Sequence, residues 1–222
     1  MPVLNLRHKR QTMTLDERWW NLVASVYDLQ ARLETPTLDA AIELAAITPS
    51  DHLLDAGCGT GLLTRRLADR GIQPSSITSV DRSPRMLART PSTTTRVRAD
   101  LCKLPFPDAT FDVIVSTFVL HTLCDSNQTA VIQELVRVAR PGARIVIACP
   151  HPPLRRILRR RIDAHTLSAA WRSINGLTPF DPDPALATAG CTIANHTHVT
   201  KGYRTRCTLA RTPSPTNPTL IP

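Results

Sequence analysis

No run of about 20 apolar residues occurs in these 222 residues, so the sequence offers no segment of bilayer-spanning length. The start, Met1 to Arg10, is basic but has no apolar stretch, which argues against a secretory signal. C-x-x-C pairs are missing as well. The six cysteines stand singly at positions 58, 102, 124, 149, 191 and 207. That spacing excludes a disulfide framework and a zinc site, and it fits free thiols in a reducing cytoplasm. Aromatics are scarce, with three Trp, two Tyr and four Phe, and the net charge of +9 rests almost wholly on arginine. Without aromatics interleaved among the basic residues there is no base-stacking surface. Arginine-, alanine- and proline-rich usage accounts for the charge, so a nucleic-acid partner is unlikely.

What the chain does have is an ordinary hydrophobic content of 42%, enough to bury the core of one α/β domain. Thr14 with Glu17 has capping-box character and opens an amphipathic helix. A second helix is expected over Thr37–Ala46. Strands are expected at His52–Ala56, Ile77–Asp81, Arg96–Asp100, Phe111–Thr117 and Arg144–Cys149. Helices at Leu62–Asp69, Pro84–Arg89 and Asn127–Ala139 alternate with them, the last stopped by Pro141-Gly142. Apolar strands between helices are what a parallel sheet covered on both faces requires. Leu154–Ile162 reads as a basic helix, Pro179–Pro184 as a turn, and Cys191–Val199 with Tyr203–Ala210 as a hairpin. Residues 1–12 read as a flexible arm, 13–211 as one domain with its core at 50–150, and 212–222 as a disordered tail.

The most informative stretch is Leu53-Leu54-Asp55-Ala56-Gly57-Cys58-Gly59-Thr60-Gly61. An apolar run ends in an acid, glycine takes every second position, and a helix pattern follows. Strand–glycine loop–helix corners of this kind hold nucleotide-like cofactors. The third glycine comes one residue too early for the dinucleotide fingerprint G-x-G-x-x-G, and no Lys-Ser or Lys-Thr completes a P-loop. Asp55 would repel a polyphosphate but suits a cationic group.

The loop resembles motif I of the class I S-adenosylmethionine (SAM)-dependent methyltransferases, and further segments follow in that family's order. Val80-Asp81-Arg82-Ser83-Pro84-Arg85-Met86-Leu87 resembles its ribose-binding segment, Ala99-Asp100-Leu101 its adenine-binding segment, and Leu104–Ile114 its L-P-F-[PA]-D-x-[ST]-F-D-x-[IV] stretch. Val119-Leu120-His121-Thr122-Leu123 looks like V-L-H-H-[VL], with Thr122 in place of the second histidine. Leu135–Ala143 is similar to the segment before the fifth strand. The resemblance implies a Rossmann-like fold with a seven-stranded, mostly parallel sheet between helices and a C-terminal antiparallel hairpin. It implies SAM as cofactor, held by Asp55, Gly57, Cys58, Gly59 and Gly61. Asp81, Arg82 and Met86 would meet the ribose side, Asp100 and Leu101 the adenine, and Tyr27 could close over the whole.

Within the family the nearest likeness is to the branch containing the ubiquinone/menaquinone-biosynthesis C-methyltransferases, which implies methyl transfer to a small-molecule acceptor. A general base, where one is needed, would come from the carboxyl ends of the strands, with His121 and His151 as candidates. His196 and His198 share a strand face but lack a third ligand, so no metal is expected. Arg155–Arg161 could touch an anionic lipid surface. The residues leave open a lipid or quinone methyltransferase working at a membrane, or a catalytically silent SAM-binding module.

Overall fold

Short apolar runs between glycine- and proline-rich turns are stable when both faces of the resulting strand are covered, and the chain uses them so. In a computed structural model, which describes residues 31–73, 76–151 and 180–214, the order is α1 (Ala31–Ala45), β1 (His52–Ala56), α2 (Leu62–Asp69), β2 (Ser76–Asp81), α3 (Pro84–Leu87), β3 (Thr95–Arg98) and β4 (Phe111–Thr117). One 3₁₀ turn (Leu120–Thr122) leads into α4 (Asp125–Val138), β5 (Ala139–Pro150), α5 (Asp183–Thr188), β6 (Thr192–Val199) and β7 (Thr205–Arg211). The seven strands form one sheet in the order β3-β2-β1-β4-β5-β7-β6. Strands β1 to β5 run parallel, and β7 is antiparallel to both β5 and β6. This is the mostly parallel sheet with a C-terminal antiparallel hairpin that the resemblance implied.

Alternate residues of each strand feed two separate cores. Leu54, Ile114, Ile145 and Ile147 meet Ile132 and Leu135 of α4 and Leu186 of α5. Leu53, Val113, Val115 and Val146 meet Leu38 and Ile42 of α1 and Leu63 and Leu67 of α2. Each such side chain contributes roughly 1.5–3 kcal/mol on burial. Helix α1 is also tied to α2 by the guanidinium of Arg66, which donates to both Asp39 oxygens at 2.6 and 2.9 Å.

Three local expectations change. Helix α1 begins at Ala31 rather than Thr37 and carries Pro36 inside it. Pro141-Gly142 does not stop a helix ahead of a loop but lies within β5, where the register with β4 shifts between Phe111 and Val113. There Gly142 takes a φ of 75° and its N–H reaches Pro213 O at 3.3 Å. The proline-rich segment read as a turn leads straight into α5, whose first two residues are Asp183 and Pro184, with Asp183 N–H donating to Asp181 Oδ1 at 3.0 Å. Just after β7, Thr212 is buried and its N–H donates to Ala143 O at 3.1 Å. The helices expected near 14–26 and 154–162, with Tyr27 and Arg155–Arg161, lie outside the described residues.

Candidate functional site

Strand order reverses between β1 and β4, and open α/β sheets bind ligands in the crevice at the carboxyl ends of such strands. The glycine loop leaves β1 at this point. Gly57 N–H and Cys58 N–H both donate to Val80 O, at 2.8 and 2.9 Å, so the end of β2 fastens the turn. Gly57 has φ 78°, and a Cβ there would stand 2.3 Å from a methyl of Val119. Gly61 has φ 84° and caps α2, and its Cβ would stand 2.6 Å from Pro91 and 2.9 Å from Thr90. Both positions combine a left-handed backbone with no room for a side chain. The loop is therefore walled by Val119 on one side and by Thr90-Pro91 on the other.

The acids differ in how they are held. Asp81, ending β2, accepts Gly59 N–H on one oxygen at 2.9 Å and Ser83 N–H on the other at 2.8 Å. Burial raises its pKa, and these amides pull against that rise. Asp55 is 3% exposed, and its Oδ2 is fully buried with no hydrogen-bond partner. Burial, reinforced by the nearby Asp81 charge, raises its pKa to about 8. Asp100 stands exposed past β3, accepts Cys102 N–H at 3.0 Å and faces Arg82 at 3.7 Å. Leu101, the next residue, is buried, as is Met86, whose N–H is capped by Ser83 Oγ at 3.2 Å. The Cys58 thiol is buried against Thr90 Oγ1, at 3.7 Å, and burial raises its pKa far above the ordinary thiol range, so it stays protonated.

Beyond β4 the backbone is forced into an uncommon shape. Phe118 has φ 58°, costly for an aromatic residue, and its N–H donates to Ala148 O at 2.9 Å. Its ring meets those of His121 and Tyr203 edge-on, with centroids 6.3 and 5.8 Å away. His121 is 5% exposed with Nδ1 unpartnered, and burial lowers its pKa to about 4, so it is uncharged at neutral pH. His151 follows β5 and lies beside His198, 5.3 Å between ring centroids. Burial first, then the charge of Arg206, holds it below the usual histidine range.

The crevice thus gathers Asp55, Gly57, Cys58, Gly59, Gly61 and Asp81 around one loop, with His121 behind Val119 and His151 farther along the sheet. Val119, Thr90 and Phe118 were not singled out from the sequence. They are ordinary residue types whose roles come from contact across the fold. The Leu104–Phe106 stretch is held by α4: Arg137 donates to Phe106 O at 2.9 Å and to Leu104 O at 3.1 Å, while Glu134 accepts Leu104 N–H at 2.7 Å.

S-adenosylmethionine fits this cradle on the chain's own terms. The left-handed glycines turn the chain sharply after β1, and a buried Asp55 oxygen with no hydrogen-bond partner among the described residues suits a ligand bearing a sulfonium and an ammonium.

Residues 54–147 match a family described as a methyltransferase domain. A demethylmenaquinone methyltransferase from Tropheryma whipplei is 32% identical over 158 residues, covering 63% of this chain and 60% of the relative. A malonyl-(acyl-carrier protein) O-methyltransferase from Serratia marcescens is 30% identical over 184 residues, covering 80% of this chain and 66% of the relative. The chain therefore spans 60–66% of the length of these curated relatives. In fold it is similar to a chain from the Haloferax volcanii complex of the Trm112 methyltransferase activator with a methyltransferase. The TM-score is 0.71 at 16% identity, covering 91% of this chain and 100% of that one. The matched segment runs from β1 to β5 and contains the glycine loop and the acids after it, so residues 54–147 of this chain form a methyltransferase domain of that family.

Proposed function

We propose that this chain transfers the methyl group of SAM to a small-molecule acceptor, with residues 50–150 as the donor-binding core of a domain spanning 13–211. The observation that carries this is the buried Asp55 Oδ2, without a hydrogen-bond partner among the described residues, beside a glycine loop that cannot accept a Cβ at position 57. When bound, SAM supplies a methyl carbon on a positively charged sulfur, and S-adenosylhomocysteine remains once the acceptor has taken it.

The chain's own part is positioning. Asp81 has one carboxylate oxygen fixed on Gly59 N–H and the other on Ser83 N–H, and its remaining lone pairs suit ribose hydroxyls. Asp100, exposed at the tip of β3, suits an adenine amino group, with the Leu101 backbone beside it. Arg82 orients Asp100, while Cys58 and Met86 fill the floor. Alignment of this kind is worth ~7–11 kcal/mol of barrier in well-oriented systems. His121, uncharged and sealed, lines the wall behind Val119.

The relatives' names cover demethylmenaquinone and a carrier-linked malonyl group, so a small acceptor is the common ground. A cytoplasmic setting is supported by the free cysteines. Among the described residues no helix is long and apolar enough to cross a membrane. Isothermal titration with SAM, and a turnover screen against pooled metabolites read by mass spectrometry, test the proposal. Micromolar SAM binding lost in Gly57→Arg is expected. Failure of the wild-type chain to bind SAM would overturn it.

A further inference from the structure

Positive charge is concentrated at one edge of the sheet. Residues 82–103 hold Arg82, Arg85, Arg89, Arg96, Arg98 and Lys103 against a single acid, Asp100. Elsewhere in the described fold arginines are matched to acids: Arg66 to Asp39, Arg137 to Glu134, Arg140 to Asp112 and Arg144 to Asp51. Around α3 three guanidinium groups converge on backbone carbonyls. Arg65 of α2 donates to Arg89 O at 3.2 Å, Arg96 of β3 to Leu87 O at 3.4 Å, and Arg98 of β3 to Arg82 O at 3.1 Å. A carbonyl fixes a guanidinium in place without cancelling its charge. Arg85, Arg89, Arg96 and Arg98 are all exposed.

The same residues form an open strand edge. Strand β3 ends the sheet order and, among the described residues, pairs with β2 only. Ala99 N–H donates to Asp81 O at 3.3 Å. Backbone groups change sides with each residue along a parallel strand, so the N–H and C=O of Arg96 and Arg98 face away from β2. Both residues thus offer outward main-chain groups and, on the α3 side, fixed cations. Charged side chains on an edge repel a second copy of that edge. Residues 82–103 contain no aromatic residue, and none of their large apolar side chains is exposed. That composition suits neither base stacking nor insertion into a membrane.

We infer that the β3 edge docks an acidic, extended segment of a partner protein, which adds to the sheet as a further strand. Its main chain bonds the outward groups of Arg96 and Arg98, as in strand addition generally. Acidic residues at alternate positions fall on the α3 face, where the guanidinium forks of Arg96 and Arg98 and the charges of Arg85 and Arg89 meet them. The edge charge supplies the selectivity: it rejects basic or self-similar strands and accepts an acidic one.

A labelled peptide of four Glu-Thr repeats, which as a strand carries every carboxylate on one face, is the probe for the full chain. Micromolar binding is expected, at least about tenfold weaker at ~0.5 M salt than at ~0.05 M. Arg85→Glu with Arg89→Glu should weaken it at least about tenfold and leave SAM titration as in the wild type. Reversal on another face, Lys201→Glu with Arg204→Glu, should leave peptide binding unchanged. The same peptide with methylated backbone nitrogens keeps its charge but loses its donors, and should bind at least about tenfold more weakly. Hydrogen exchange at the Arg96 and Arg98 amides should slow at least about tenfold in the complex. If Arg85→Glu with Arg89→Glu does not fold by circular dichroism, the methylated peptide and the exchange rates decide on the wild-type chain. No peptide binding, equal binding of the methylated form, unchanged exchange at Arg96 and Arg98, or tighter binding of duplex DNA or phosphatidylserine vesicles at this edge would each overturn the inference. Dimerisation of the chain through β3 would overturn it as well.

Discussion

Two pairs of acids stand at the same edge of the sheet and are treated in opposite ways. Asp181 and Asp183 both converge on Arg206, and Asp183 also accepts from Thr208 and lies 2.8 Å from His196 Nε2, so both acids have a cation at hand. Asp55 and Asp81 lie within interacting range of each other at the glycine loop, and among the described residues Asp55 has no cation beside it. A buried carboxylate left without a countercharge is held near neutrality by taking up a proton. The Asp181–Asp183 pair already has its cation in Arg206. The glycine-loop pair has none among the described residues, which suits it to a cationic ligand.

The largest expected effect that would test this contrast is at the loop. Gly57→Ala combines a left-handed φ with a clash against Val119, together costing about 2–6 kcal/mol. Calorimetry should show SAM binding at least roughly 100-fold weaker. Next comes Asp55→Asn, whose effect depends on pH. The carboxyl pKa is about 8 in the folded chain against an ordinary value of 3.8. Because the folded state holds the proton more tightly, stability falls as pH rises from about 4 to about 8. Asparagine removes that slope, so ligand-free Asp55→Asn should match the wild type at about pH 3 and exceed it by a few kcal/mol (order of magnitude) at about pH 9, read by denaturant unfolding. SAM should bind the variant more weakly, and wild-type binding near pH 7 should release a proton to the buffer.

Asp81→Asn is expected to cost less, about 1–3 kcal/mol, because one of two buried backbone N–H groups loses its acceptor. A melting-temperature drop with weaker SAM binding is the signature. The smallest effect belongs to the opposite end of the strands. Asp112 accepts from Arg140 at 2.6 Å and from His52 N–H at 2.9 Å. Burial pushes its carboxyl up, but these donors outweigh burial and hold it below the usual range. Its contribution is therefore present above about pH 4 and lost as pH falls through its folded pKa. Asp112→Asn should lower stability by ~1 kcal/mol and leave SAM affinity unchanged. A large change in SAM affinity there would break the division between the two ends.

Much of this architecture was legible in the sequence because the signals were local. His52–Ala56, Leu62–Asp69 and Phe111–Thr117 have the bounds read from apolar runs and glycine punctuation. Asp55, the three loop glycines and Asp81 sit where the motif spacing put them. The misreadings share one cause. Helix α5 is only six residues long, its first residue, Asp183, held by β6 and β7 side chains, and nothing local in a proline-rich stretch announces it. Pro141-Gly142 carries the turn chemistry of a helix stop, yet pairing with β4 and the contact to Pro213 keep the chain in a strand there.

The sequence alone therefore determined the fold class and the glycine-loop corner after β1, since periodicity, turn residues and glycine spacing act over a few neighbouring residues. Only the tertiary structure decided that Val119 walls the loop, that Asp55 Oδ2 is buried without a partner among the described residues, and that Arg206 shares a face with Cys149 and His198. Each of those facts depends on strand register and burial, which are set by residues scores of positions apart.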